Sequence, residues 1–233
     1  MSDKIAIVSD IHANKYALNK FLEYVDKEKI STILNLGDFI QIGPNPLEVT
    51  EILLNDNRFI NIIGNNETSI FEINNEDNSS ENEHRVWTRK RIQDKFQEIQ
   101  KIPQENLINI NGLNILMIHF EKNHVSGMPS MNINEVSKFF KDYNHYNSDV
   151  ILFGHTHEKL YIEQNSKVFI NPGSLGCSKL GTVDFVTLEI SNKKIKNCTF
   201  NSLEYDKSKL FEDYINNNVP DKDFLLKVFY KKD

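Results

Sequence analysis

Ile5-Ala6-Ile7-Val8-Ser9-Asp10-Ile11-His12-Ala13-Asn14 opens on an apolar run and ends on a carboxylate and an imidazole. The pattern repeats down the chain. Thr32-Ile33-Leu34-Asn35-Leu36 runs into Gly37-Asp38, and Phe59-Ile60-Asn61-Ile62-Ile63 into Gly64-Asn65-Asn66-Glu67. Ile115-Leu116-Met117-Ile118 runs into His119, and Val150-Ile151-Leu152-Phe153 into Gly154-His155-Thr156-His157. Short apolar runs rich in Ile and Val, closed by Gly, Asp or Asn, read as buried strands. Open α/β sheets bind ligands beyond the carboxyl ends of their strands. Two Asp, one Asn and four His at these ends therefore read as one site assembled from most of the chain.

The intervening segments support that reading. Amphipathic stretches at Tyr16 to Lys27 and Pro46 to Leu54 alternate with the first strands, which argues for a layered α/β fold. Residues 74–83, rich in Asn, Glu, Asp and Ser, predict an exposed loop. A helix is expected from His84 to Ile99, capping one side of the site, and another from Asn134 to Asp142. The second half predicts strands at Lys159 to Glu163, Val168 to Asn171, Val183 to Ile190 and Lys194 to Phe200. Asp206 to Asn217 predicts a helix, with a short element at Phe224 to Tyr230.

Taken singly, each polar residue has a plain structural reading: an Asp after a strand caps a helix, and Asn or Gly makes a turn. Taken together, the order Asp-x-His, Gly-Asp, Gly-Asn-x-Glu, His, Gly-His-x-His resembles the calcineurin-like metallophosphoesterase family across roughly residues 4–190. Ser9 to Asn14, Ile42 to Val49 and Asn171-Pro172-Gly173-Ser174 are similar to its small bacterial phosphoesterases, which include phosphodiesterases, phosphatases and dinucleoside polyphosphate hydrolases. The resemblance implies an α/β/β/α sandwich of two sheets with flanking helices. The whole of residues 1–233 is expected to form one domain, with a core of about 4–200, a helical cap at about 72–102 and a tail at about 203–233.

The same resemblance implies two divalent cations. Asp38 would bridge them; Asp10, His12 and His157 would complete one position, and Asn65, His119 and His155 the other. Two such ions and two carboxylates leave an excess of about two positive charges, enough to draw an anionic phosphate to an acidic protein. Water activated between the metals is the expected nucleophile. Imidazole, amide and carboxylate together suit Mn, Fe, Co or Zn better than Mg or Ca, with Mn the first choice. Asp38, Asn65, Asn66 and His119 are the catalytic candidates.

Many relatives carry His where this chain has Asn66. A primary amide donates hydrogen bonds but is no general acid near pH 7. Substrates with good leaving groups should suffer least, which points to phosphoanhydrides or activated esters and, most sharply, to asymmetric cleavage of diadenosine tetraphosphate. His124 or Glu67 could supply the proton, and Glu67 could instead anchor its loop. Asn14 could bond a phosphate oxygen or stabilise a turn, while Gly173 would let backbone approach the site. Asn14, Asn66, Glu67, His124 and Gly173 form the expected substrate-binding set. A phosphomonoesterase and a non-catalytic metal-binding scaffold are the alternative readings.

Composition narrows the partners. The chain has 233 residues and a net charge of −6, with 39% apolar and 26% charged residues. That acidity supplies no general pull on nucleic acid, and the Arg85, Arg89, Lys90, Arg91 cluster reads as a solvated face. No apolar run approaches the about 18 residues a membrane helix needs, and the amino end passes straight into a strand. A cytoplasmic location is the default expectation. The expected partner is a small phosphate-bearing molecule, a nucleotide first; self-association stays open. Cys177 and Cys198 read as two free thiols, with a place near the site open to Cys177 just beyond Asn171 to Ser174.

Overall fold

The computed structural model describes residues 3–73, 77, 79–120 and 136–231. β1 (Asp3–Val8), β2 (Ile33–Asn35) and β3 (Phe59–Asn61) run parallel, linked by α1 (Lys15–Lys27) and α2 (Pro46–Asn55). β9 (Thr182–Ser191) and β10 (Lys194–Glu204) extend this sheet antiparallel, in the order β10-β9-β1-β2-β3. The second sheet has the order β4-β5-β6-β8-β7, from β4 (Glu105–Ile110), β5 (Leu113–Ile118), β6 (Val150–Leu152), β7 (Lys159–Gln164) and β8 (Lys167–Pro172).

Strands buried on both faces must be apolar on both, which is why β1 and β5 read as unbroken apolar runs. Ile5 and Ile7 face the second sheet, meeting Ile115, Met117, Val150 and Leu152 in the inter-sheet core. Ala6 and Val8 face outward onto Ala17, Leu18, Phe21 and Val25 of α1 and Val49 and Leu53 of α2. On the far side, Leu116, Ile118 and Ile151 pack on Phe140 and Val136, the latter from α6 (Val136–Phe139). The result is the expected α/β/β/α sandwich.

Register sets the site. Val8 pairs with Asn35 and Asn35 with Asn61, while Met117 pairs with Leu152 and Leu152 with Ile170. The parallel strands of each sheet therefore end level with one another, and the loops after them share one rim.

Three expectations need correcting. β4 was not foreseen; it forms a hairpin with β5 around Asn111 and Gly112, whose φ values of 53° and 79° suit a tight Asn-Gly turn. The His84 to Ile99 helix is broken: α4 (Ser80–Arg91) ends, a 3₁₀ turn spans Gln93–Lys95, and α5 (Phe96–Ile99) follows. α4 also begins inside the stretch expected to be loop. α3 (Asn65–Phe71) starts directly at a candidate ligand. The Asn134 to Asp142 helix shrinks to α6 and a 3₁₀ turn at Lys141–Tyr143 within the described residues.

The tail forms two helices, α7 (Ser208–Asn216) and α8 (Lys222–Tyr230). Leu210, Tyr214, Val219, Leu226 and Tyr230 make a separate apolar cluster joined by Trp87, Cys177 and Phe229. α4 buttresses this tail, because Trp87 Nε1 and Arg91 both donate to the Asn217 carbonyl. The basic cluster on α4 is thus partly structural: Arg91 also lies 4.1 Å over Trp87, and Arg89 4.5 Å over Phe96. Among the described residues no helix is long and apolar enough to cross a membrane.

Candidate metal centre

Asp10 and His12 leave β1, Asp38 follows β2, Asn65 follows β3, His119 follows β5, and His155 and His157 follow β6. All seven converge at the shared rim. Donor atoms of Asp10, His12 and Asp38 lie within 4.8 Å of one another, and so do those of Asp38, His119 and His155. Asp38 belongs to both groups. His157 Nε2 is 3.0 Å from His12 Nε2 and 3.3 Å from Asp10 Oδ1. The Asn65 amide oxygen accepts from His155 Nδ1 at 2.8 Å.

Close packing explains the motif glycines. A Cβ on Gly64 would overlap the Asp38 carboxylate, and one on Gly154 would overlap Ser9 and stand 2.8 Å from Asp10 Oδ2. Only glycine lets these loops meet the ligand carboxylates.

The site is largely buried and charged. Asp10, His12, Asp38 and His119 are all buried. Burial alone would raise the Asp10 carboxyl, but His157, His119 and His12 around it hold it below the usual carboxylate range. Asp38 is likewise lowered: burial opposes, and His119 and His12 prevail. Burial also works to lower His119, yet Asp38 and Asp10 push it up to about 10. His12 drops to about 4, from burial first and then from His157, so its ring is neutral at pH 7. His119 Nδ1 donates to the Leu36 carbonyl at 2.7 Å, which turns Nε2 towards Asp38 at 3.2 Å. A backbone carbonyl holding the far nitrogen is the usual arrangement of a metal-binding imidazole.

The donor set fits divalent cations. Asp10 Oδ1 is buried and makes no hydrogen bond, and the ring nitrogens of His157, His12 and His119 surround it at 3.3, 3.7 and 4.0 Å. Buried polar atoms of that kind call for a partner. Carboxylates kept ionised and a neutral His12 are what a cation needs.

The expected substrate contacts divide. Asn66 stands at the site: its amide donates to Asp38 Oδ2 at 2.8 Å and lies 3.5 Å from His12 Nδ1. Asn14 follows the structural one of its two readings. Fully buried, its oxygen caps α1 by accepting from Ala17 N, while its amide donates to the Gly176 carbonyl and Tyr205 Oη. That spends both ends of the side chain. Glu67 takes the anchoring role left open for it, because its buried carboxylate accepts from the N–H groups of Gly64, Asp38, Phe39 and Ile40. Burial, with Asp38 nearby, raises it to about 7. The Gly173 N–H donates to Asn171 Oδ1, inside its own turn. His124 lies outside the described residues.

Two further neighbours complete this side, of which the sequence pointed only to Cys177. Cys177 Sγ falls within 4.8 Å of the donor atoms of His12 and His157. Phe229, from α8, sets its ring 6.4 Å from His12 and 6.3 Å from His157. The tail, rather than α4, closes this side.

Paired aspartates and imidazoles at the strand ends of a two-sheet sandwich define a metal-dependent phosphoesterase. Residues 4–193 match the calcineurin-like phosphoesterase superfamily domain, and the chain belongs to that superfamily. An uncharacterized protein of Methanocaldococcus jannaschii is 27% identical over 237 residues, 93% of this chain and 94% of that protein. A phosphodiesterase of the same organism is 23% identical over 202 residues, 82% of this chain and 95% of its own. The crystal structure of a metallophosphoesterase from Sphaerobacter thermophilus matches with a TM-score of 0.76 at 23% identity, covering 96% of this chain and 97% of that one.

Proposed function

We propose that this chain hydrolyses a phosphodiester or phosphoanhydride bond in a small nucleotide, using two divalent cations. Asp10, His12, Asp38 and His157 would hold one; Asp38, Asn65, His119 and His155 would hold the other. The observation that carries this reading is the sharing of buried Asp38 by two ligand groups. A carboxylate has one oxygen for each of two neighbouring cations. When bound, such a pair clamps phosphate oxygens and lowers the pKa of water enough to make a nucleophile.

The chain's own residues favour particular substrates. Asn66, 3.5 Å from His12 Nδ1, is placed to donate a hydrogen bond to a phosphate oxygen, though it has no proton to give up near pH 7. Glu67 is locked into four backbone bonds and is not free to replace it. A leaving group that departs as phosphate or nucleotide needs no such proton. This supports phosphoanhydrides, with asymmetric cleavage of a dinucleoside tetraphosphate as the sharpest form. The relative named a phosphodiesterase keeps phosphodiesters beside them. Manganese is the proposed metal for the nitrogen–oxygen position around His119.

Manganese-loaded protein incubated with diadenosine tetraphosphate tests the reading, with Asp38→Asn as blank. ATP plus AMP is the expected outcome. Two ADP would move the cut to the central linkage. No turnover of this or any phosphodiester, by protein shown to bind metal, would refute the proposal.

A further inference from the structure

We propose that Cys177 is a ligand on the His12–His157 side, making that position a nitrogen–sulfur–oxygen site selective for a thiophilic divalent cation. The inference rests on the dinuclear reading above and assigns this chain a ligand outside the family pattern.

Geometry is the first support. Sγ of Cys177 and the donor nitrogens of His12 and His157 all lie within 4.8 Å of one another. Zinc–sulfur bonds are about 2.3 Å and zinc–nitrogen bonds about 2.0–2.1 Å, so donors around one ion stand roughly 3–4 Å apart. Closing the difference takes a shift of about 2 Å or less. Asp10 Oδ1 completes the group, at 3.3 Å from His157 Nε2 and 3.7 Å from His12 Nε2. That oxygen is buried and has no hydrogen bond, an independent sign that a cation belongs here.

The backbone holds the thiol in place. Cys177 N donates to Ser174 Oγ, which donates to the Asp10 carbonyl, and Gly176 N donates to the same carbonyl. The cysteine loop is thus tied to the first ligand. Its outer side is closed by the tail, with Tyr230 Oη at 3.9 Å from Sγ. As the sulfur–metal bond forms, the S–H bond breaks and its proton leaves to solvent, so one positive charge of the ion is cancelled. Soft thiolate selects zinc and its chemical neighbours over manganese or magnesium. The two halves of the centre would then prefer different metals.

Cobalt(II) reports the answer directly. The metal-free full chain, its Cys177→Ser variant and its Cys198→Ser variant would be titrated with cobalt, after circular dichroism shows that all are folded. A near-ultraviolet sulfur-to-cobalt charge-transfer band is expected in the first and third and absent from Cys177→Ser. Cadmium affinity should fall in that variant by at least the roughly 10–100-fold that outer-shell partners cost, while manganese affinity changes little. The same band in Cys177→Ser would overturn the proposal. So would its absence from all three proteins when visible bands show cobalt bound. No cobalt bound by any of them would overturn it together with the dinuclear reading.

Discussion

Glu67→Gln separates an anchor from a substrate contact. Oε1 of Glu67 accepts from Phe39 N at 2.9 Å and Ile40 N at 3.0 Å, and Oε2 from Gly64 N at 2.8 Å and Asp38 N at 2.9 Å. The side chain is fully buried. In glutamine the amide oxygen can replace one carboxylate oxygen, but its NH₂ must then face two N–H groups. Two hydrogen bonds to a charged acceptor are lost, at roughly 1.5–3 kcal/mol each. A middle value of about 4 kcal/mol, at about 3 °C per kcal/mol for a chain of this size, lowers Tm by about 12 °C.

Calorimetry of the metal-free protein at pH 8, where Glu67 is mostly ionised, measures this without interference from bound cations. Activity should fall as well, through kcat, because Asp38 N and Gly64 N belong to the loops that aim the shared carboxylate. A Tm within about 2 °C of wild type, with KM raised and kcat intact, would refute the reasoning and return Glu67 to the substrate.

Metal-free stability should be level from about pH 4.5 to 6.5, where Glu67, raised to about 7, loses with rising pH what His12 gains, and should fall on either side. His12, lowered to about 4, contributes stability that is lost as pH falls from about 6.5 to 4, and His119, raised to about 10, contributes stability that is lost as pH rises from about 6.5 to 10; urea unfolding in chelator across this range checks both limbs. Tyr230→Ala empties the tail's fully buried cluster and should destabilise by about 3–5 kcal/mol, read from the urea midpoint. Asn66→His should speed alkyl phosphodiester hydrolysis by about 10²-fold or more while leaving anhydrides nearly unchanged, because only the former need a proton at the leaving oxygen.

Ligands and strands were legible because their signal is local. A run such as Ile5 to Val8 ending at Asp10 carries its strand, its end and its chemistry within a few residues. β4 was missed because Glu105, Asn106 and Asn109 break its apolar pattern; the Asn111-Gly112 pair was the available hairpin signal. Glu67 and Asn14 show a different limit. Polar residues beside a site look alike in sequence whether they face substrate or backbone. Glu67 at the third position of α3 does carry the capping signature that would have decided it. Phe229 had no such signal, since only tertiary packing brings α8 to His12, while Cys177 had only its place just beyond Asn171 to Ser174.

Backbone strain gathers at the same rim. Asp10, His12, Asp38, His155 and His157 have φ between 47° and 67°, in the left-handed region, and none is glycine. Each costs roughly 1–2 kcal/mol relative to ordinary backbone. Glycine would relieve the strain but cannot bind a cation, so the metal-free chain carries an uncompensated cost at its strand ends. Bound cations would offset it by fixing all five side chains. Hydrogen exchange should therefore show faster opening of the His12, Asp38 and His155 amides than of Ile7 or Leu116, with metal slowing the first group selectively. Uniform protection across both groups, unchanged by metal, would show that the strain is balanced by packing alone.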